Sequence, residues 1–171
     1  GIDYFHPDLA DNIWSNRTEL PGNGLDDDNN GYIDDEHGYD FVSRDNDPVD
    51  DHSHGTHVAG IIGARGDNQI GVAGVCWQVS LMALKAFDEH GDGDLAGVIE
   101  AIHYAAKNGA HIINGSWGGP ERSRALEEAI AEANNAGVLF VAAAGNDKTA
   151  TQLYPAAMHQ GRWIGSDCPV E

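Results

Sequence analysis

The chain has 171 residues, 41% of them hydrophobic, and its 28 acidic and 9 basic side chains give a formal net charge of −19 at pH 7. This length and composition predict one globular domain with a real core and exclude a disordered chain. The negative field should repel nucleic acid and anionic membranes and attract cations, Ca²⁺ above all. No apolar run is long enough to span a bilayer, and the first residues lack the features of a signal peptide.

Along the chain, a polar loop is followed by alternating helices and strands. Residues 21–51 are rich in Asp, Asn and Gly, which predicts a loop. Apolar periodicity then predicts a helix from Gly55, a strand over Val79–Phe87, a helix over Leu95–Ala106 that Gly109 would cap, a strand over His111–Asn114, a helix around Leu126–Ala133 and a strand over Val138–Ala144.

This alternation predicts an α/β fold with a parallel sheet whose strands are buried on both faces. Ligands of such sheets gather at the carboxyl ends of the strands. Two segments occupy these positions, Gly115–Gly119 after the second strand and Gly145–Asp147 after the third. Both are therefore candidate binding segments.

Three histidines fall within six positions in the stretch DHSHGTHVAG, at His52, His54 and His57. Their H-x-H-x-x-H spacing resembles the H-x-H-x-D-H motif of metallo-β-lactamase-like hydrolases, but Thr56 stands where that motif has Asp. Zinc would also need ligands from later in the chain, and the later histidines form no evident second group. A zinc-dependent hydrolase that uses these three histidines remains an alternative hypothesis.

Four sequence blocks support a different interpretation. HGTHVAG resembles the histidine motif of the subtilisin-like serine peptidases, the subtilases, and IINGSWGGP, VAAAGND and GIDYFHPDL resemble three further blocks of that family in the family's order. The resemblance implies an α/β subtilisin-like fold, a three-layer doubly wound parallel sheet, incomplete in this chain. It also implies a single partial catalytic domain over residues 1–171, with an acidic calcium-type loop inserted at 21–50.

The resemblance assigns site residues by position. His54 would be the general base and Asn146 the oxyanion donor, with His52 and His57 structural. An extended peptide substrate would bind along the backbone of one segment, and the first specificity pocket would be lined by another. These substrate-binding residues are Ser116, Trp117 and Gly118, and then Ala143, Ala144 and Gly145.

The catalytic Asp and Ser implied by the family are not among these residues. No D-[ST]-G or G-T-S-M-A string occurs, and neither Ser116 nor Ser166 lies in such a context. The resemblance therefore implies a secreted serine endopeptidase acting on proteins or peptides, with a propeptide as a further partner, of which this stretch alone is inactive. A non-catalytic calcium-binding pseudo-peptidase module is the other alternative.

The stretch DDDNNGYIDD predicts a calcium loop. Asp26, Asp28 and Asn30 occupy positions 1, 3 and 5, and Gly31 supplies the turn at position 6. Tyr32 would offer its backbone carbonyl. His37 stands where an EF-hand has Glu, so Asp34 or Asp35 would supply the closing carboxylate.

The family resemblance implies a second calcium site. It would join Asp8 to Asp67 or Asn68 and to the carbonyls of Ile70 and Val72. The two cysteines, Cys76 and Cys168, leave both a disulfide and two free thiols open.

Overall fold

The computed structural model describes residues 1–146 and 152–158 of the chain. Residues divide into two compact units, Gly1–Ala101 and Ile102–Glu171. Helix α2, Leu95–Lys107, contributes residues to both units.

The first unit contains a short parallel sheet and one helix that carries the histidine stretch. Strand β1 (Gly38–Asp40) pairs in parallel with β2 (Ala83–Lys85), so that Asp40 lies opposite Lys85. Helix α1 covers His54–Gly63. Buried side chains of Leu9, Ala59, Ala64 and Leu81 form the core beside this helix.

The second unit is a strand–helix–strand arrangement. Strand β3 (Ile112–Gly115) and strand β4 (Leu139–Ala142) pair in parallel and are connected through helix α3 (Arg124–Asn135). Ser123 caps α3 by accepting a hydrogen bond from the Leu126 amide. The helix buries its apolar stripe, Leu126, Ala129, Ile130 and Ala133, against this unit.

The α/β class and its parallel strand pairing are confirmed. All three predicted helices and all three predicted strands are present. Strands β2 and β4 are shorter than predicted, whereas β3 keeps its predicted four residues and begins one residue later. The prediction of an uninterrupted loop over residues 21–51 was wrong, because β1 lies inside it. A three-residue strand that consists of Gly, Tyr and Asp offers too little apolar periodicity to be detected. No helix in the described ranges is long and apolar enough to cross a membrane.

Candidate active site and cation sites

His54 lies at the start of α1, in a turn that one carboxylate organises. Asp50 Oδ1 accepts hydrogen bonds from the amides of His52 (3.0 Å) and Ser53 (2.9 Å), and Oδ2 accepts from the amide (2.8 Å) and hydroxyl (2.6 Å) of Thr56. Ser53, the formal N-cap, has a left-handed φ of 74° and makes no side-chain cap. The helix is therefore capped from three residues further upstream.

These hydrogen bonds alter the acid strength of Asp50. Burial opposes ionisation, but the donors of Thr56 and His52 prevail, so that the pKa of Asp50 lies below its ordinary value. The carboxylate is thus charged at neutral pH beside the N-terminus of α1, where the helix dipole favours an anion.

The first turn of α1 is also attached to the start of the chain. The Asp3 amide donates to Thr56 Oγ1 over 2.8 Å, and the Ile2 amide donates to the Pro48 carbonyl over 3.1 Å. A Cβ on Gly55 would overlap the carbonyl oxygen of Gly1. Only glycine allows this close approach between the helix and segment 1–3.

The turn places the His54 side chain on the surface. His54 is exposed, as are His52 and His57, and the rings of His52 and His54 are 6.3 Å apart between centroids at 84°. Among residues 1–146 and 152–158, the three histidines do not form a group of ligand atoms close enough to hold a metal. The zinc hypothesis gains no support from this geometry. His159, Ser166 and Cys168 lie outside the described residues, and Cys76 is an exposed free thiol.

A buried lysine, which the sequence interpretation overlooked, lies beside the same turn. Lys85 Nζ contacts Asp40 Oδ2 at 2.9 Å and Asp51 Oδ2 at 2.6 Å. Burial alone would lower the pKa of Lys85, but the two carboxylates raise it above its ordinary value. No periodicity or motif predicts this contact, because it depends on the pairing of β1 with β2.

In the second unit, the predicted substrate segments follow neighbouring strand ends. β3 is followed by Ser116, Trp117 and Gly118, and β4 by Ala143, whose amide donates to the Gly115 carbonyl over 3.0 Å. The Trp117 ring contacts Phe140 edge-on, with centroids 6.2 Å apart. The two segments therefore emerge side by side from the carboxyl edge of this strand pair.

The segment after β4 consists of small, exposed residues: Ala143, Ala144, Gly145 and Asn146. Gly145 has a φ of +93°, and a Cβ there would overlap Leu153. This backbone conformation favours glycine, and Asn146 follows directly, at a bend, as an exposed amide side chain. Asp147, the last residue of this predicted segment, lies outside the described residues.

The acidic loop brings several predicted oxygen donors together and adds one that was not predicted. The Asn30 amide donates to Asp26 Oδ1 (3.0 Å) and to Asp28 Oδ1 (2.9 Å). Ligand oxygens of Asp26, Asp28 and Glu19 lie within 4.8 Å of one another. Glu19 is only 4% exposed. It precedes the D-x-D-x-N spacing by seven residues, so the motif gives no signal for it.

The two candidates for the closing carboxylate differ in their surroundings. Asp35 is buried and accepts from the side-chain amides of Asn16 (2.9 Å) and Asn30 (2.9 Å). Asp34 instead accepts from the amides of Asn23 (3.0 Å) and Gly24 (2.9 Å). Only Asp35 therefore faces the predicted loop donors.

Within the acidic loop, Tyr32 bonds to a neighbouring predicted ligand, and Glu19 lies among other negative charges. The Tyr32 amide donates to Asn30 Oδ1 over 2.8 Å. Burial, with the negative charges of Asp35 and Asp28, raises the pKa of Glu19. A bound cation would relieve this repulsion.

The second predicted cation site is held together by Asp8. Its buried carboxylate accepts from Asn68 Nδ2 over 2.7 Å and from the Val72 amide over 2.9 Å. Ile70 donates its amide to Asn68 Oδ1 over 3.1 Å. Asp67 is exposed, and within the described part of the chain no hydrogen bond joins it to Asp8. The hydrogen bonds from Asn68 and Val72 lower the pKa of Asp8.

Comparison with known proteins gives a consistent result. The model of the subtilase family matches residues 1–165. Subtilisin-like protease 1 of Plasmodium falciparum (isolate 3D7) is 46% identical over 147 residues, which cover 85% of this chain and 21% of that protein.

Two bacterial proteins are also similar. A thermophilic serine proteinase of Bacillus sp. (strain AK1) is 39% identical over 166 residues, covering 97% of this chain and 36% of the relative. The minor extracellular protease Epr of Bacillus subtilis (strain 168) is 42% identical over 121 residues, which cover 70% of this chain and 19% of that protein. The chain thus spans between 19% and 36% of the length of these three relatives.

Proposed function

The chain belongs to the subtilase family, and on that basis we propose that it forms part of the catalytic domain of a serine endopeptidase acting on proteins or peptides. The setting of His54 supports this most directly. Its ring is exposed on the first turn of a helix whose entry is fixed by Asp50. A side chain that accepts and returns protons needs such a fixed backbone and an accessible ring. We propose that residues 1–171 are a single partial domain with the acidic insertion at 21–50.

His54 would transfer a proton, and Asn146 would stabilise the negative charge that develops in the same step. His54 takes the proton of the attacking serine hydroxyl and later gives it to the leaving amine. The Asn146 side-chain amide donates a hydrogen bond to the oxyanion of the tetrahedral intermediate. The serine and the aspartate of the triad are supplied by other parts of the protein, so these 171 residues do not hydrolyse peptides alone.

The substrate would bind at the strand ends of the second unit. We assign the backbone of Ser116–Gly118 to pairing with an extended peptide, which would add to it as a strand. The small side chains of Ala143 and Ala144, with Gly145, leave room beside this strand for the first specificity pocket. The parallel pairing of β3 with β4 supports this assignment, because it places both segments at one edge.

We also propose that the acidic loop binds structural Ca²⁺. The donors are all oxygens, which hard cations prefer, and a buried Glu19 carboxylate lies within 4.8 Å of Asp26 and Asp28 ligand atoms. The ion would be held by Glu19 and by the predicted loop residues Asp26, Asp28, Asn30, Tyr32 and Asp35. A second ion would be held by Asp8 and Asn68 with the carbonyls of Ile70 and Val72.

Secretion is a further part of the proposal. One similar bacterial protease is named as extracellular, and a calcium-dependent fold suits a compartment where Ca²⁺ is abundant. A propeptide would accompany such a protein during folding.

A serine-directed phosphonate tests the catalytic assignment in the full-length protein. We expect the parent to be labelled and His54→Ala to lose labelling, because the serine hydroxyl is a weak nucleophile without its base. His57→Ala is the matched control and should keep labelling, since His57 is an exposed histidine on the same helix. Labelling that survives His54→Ala would refute the assignment. An unlabelled and inactive parent would favour the pseudo-peptidase alternative.

A further inference from the structure

Lys85 is a buried cation with two carboxylate partners. It is 6% exposed, and its partner Asp40 is 1% exposed. The two residues are neighbours in the register of β1 and β2, and Nζ lies 2.9 Å from Asp40 Oδ2. Burying a lysine requires a compensating charge close by, and Asp40 already supplies one.

The second partner, Asp51, differs from the first in its surroundings. Asp40 also accepts hydrogen bonds from the amides of Val42 (2.7 Å) and Ser43 (3.0 Å), so its own position is fixed within its strand region. The Asp51 side chain is 35% exposed and contacts Lys85 Nζ at 2.6 Å. Asp51 therefore needs no buried partner for its own solvation, and its ion pair fixes the position of its side chain relative to Lys85 at the end of β2.

The backbone of Asp51 belongs to the turn that leads into α1. Asp51 directly follows Asp50, whose carboxylate fixes the turn to the helix, and it precedes His54 by three residues. Asp50 holds the turn to α1, and Lys85 holds it to β2. The entry to the helix is thus fixed from two directions by adjacent carboxylates.

From this arrangement we propose that Lys85 and Asp51 are positioning residues for His54, a role that rests on the proposed peptidase function. Neither residue touches the reacting atoms in this role. They act through the backbone of the turn and keep the imidazole where proton transfer requires it. A small displacement of a catalytic group from the reacting atoms slows the chemical step without weakening substrate binding.

The test replaces Asp51 in the full-length protein. Asp51→Ala should lower kcat by roughly tenfold or more while KM stays within about twofold, as expected when only the chemical step is affected. Asp51→Asn keeps an acceptor oxygen for Lys85 and should give an intermediate loss. The control is Asp11→Ala, which removes an exposed aspartate from its ion pair with Arg65 in the same unit and should leave kcat unchanged.

A second measurement separates this proposal from the peptidase assignment. Hydrogen exchange of the amides of His52, Ser53 and Thr56 should quicken by roughly tenfold in Asp51→Ala and stay unchanged in Asp11→Ala. Parental exchange rates in Asp51→Ala, or a parental kcat, would overturn the positioning role. If the parent itself neither hydrolyses peptides nor reacts with the phosphonate, the peptidase assignment fails, and the exchange rates alone then decide whether Lys85 and Asp51 hold the turn.

Discussion

At the scale of single residues, Asp50 contributes most to the geometry around His54. Its carboxylate accepts from two amides of the turn and from the Thr56 amide and hydroxyl. We expect Asp50→Asn to reduce the free energy of unfolding by about 1 kcal/mol at pH 7, because the amide keeps one acceptor oxygen but turns an NH2 group toward the donors of the other. Urea unfolding of parent and variant measures this difference.

The pH dependence of that difference has a defined sign. The folded pKa of Asp50 is lowered, so its contribution is complete above the unfolded value of about 3.9 and is lost as the pH falls through the folded pKa. The difference in free energy of unfolding between the parent and Asp50→Asn should therefore vary by less than about 0.3 kcal/mol between pH 5 and 7. It should disappear below about pH 4. A gap that persists at lower pH would show that charge is not the cause.

Sequence spacing predicted some contacts at this scale and missed others for a physical reason. Asp26, Asp28 and Asn30 are close in sequence, so the turn at Gly31 brings them together wherever the loop lies. Glu19 and Lys85 reach their partners only through the path of the chain, over separations that no local pattern encodes. The capping role of Asp50 was hidden because Ser53 occupies the N-cap position itself.

At the scale of elements, α1 contains two glycines that differ in the space available for a side chain, Gly55 and Gly60. A Cβ on Gly55 would overlap the Gly1 carbonyl, whereas none of the described residues lies within 4 Å of a Cβ on Gly60. Gly55→Ala should therefore destabilise the protein by about 1–3 kcal/mol through overpacking. Gly60→Ala should stabilise it by about 0.5–1 kcal/mol, because alanine loses less entropy in a helix.

Thermal unfolding of the two alanine variants provides matched measurements on one helix. Equal melting temperatures for the two variants would contradict the close approach of α1 to segment 1–3. Peptidase activity adds a second readout, because displacing the first turn would move His54 in Gly55→Ala but not in Gly60→Ala.

Helices and strands were predictable from the sequence only where their apolar pattern extends over many residues. Helices α2 and α3 run for 13 and 12 residues and carry clear apolar stripes, so their positions follow from periodicity. Strands β1 and β2 have three residues each. Their pairing depends on Gly38, because a Cβ there would overlap the backbone carbonyl of Ala83, and such a backbone contact leaves no periodic pattern in the sequence.

At the scale of the whole molecule, the net charge of −19 means that bound cations should stabilise the folded state. Carboxylates gathered around Glu19 repel one another, and burial with this repulsion raises the pKa of that residue. A cation that binds only the folded state stabilises it by about 2.7 kcal/mol at a hundredfold excess over Kd. For a domain of about 150–250 residues that corresponds to a melting temperature about 5–10 °C higher.

Chelation of calcium should remove this increment, and Glu19→Gln separates the loop site from the Asp8 site. The variant loses a carboxylate ligand and a repulsive charge together. It should therefore gain less than the parent from added Ca²⁺. In chelator the loss of a repulsive charge is opposed by the loss of an acceptor oxygen for backbone amides that donate to Glu19. Asp8→Asn is the counterpart, and it should keep the part of the calcium response that belongs to the acidic loop. If the parent melts at the same temperature with Ca²⁺ and with chelator, neither cluster is a calcium site, and the acidic segment is a solvated loop whose repulsion the fold tolerates.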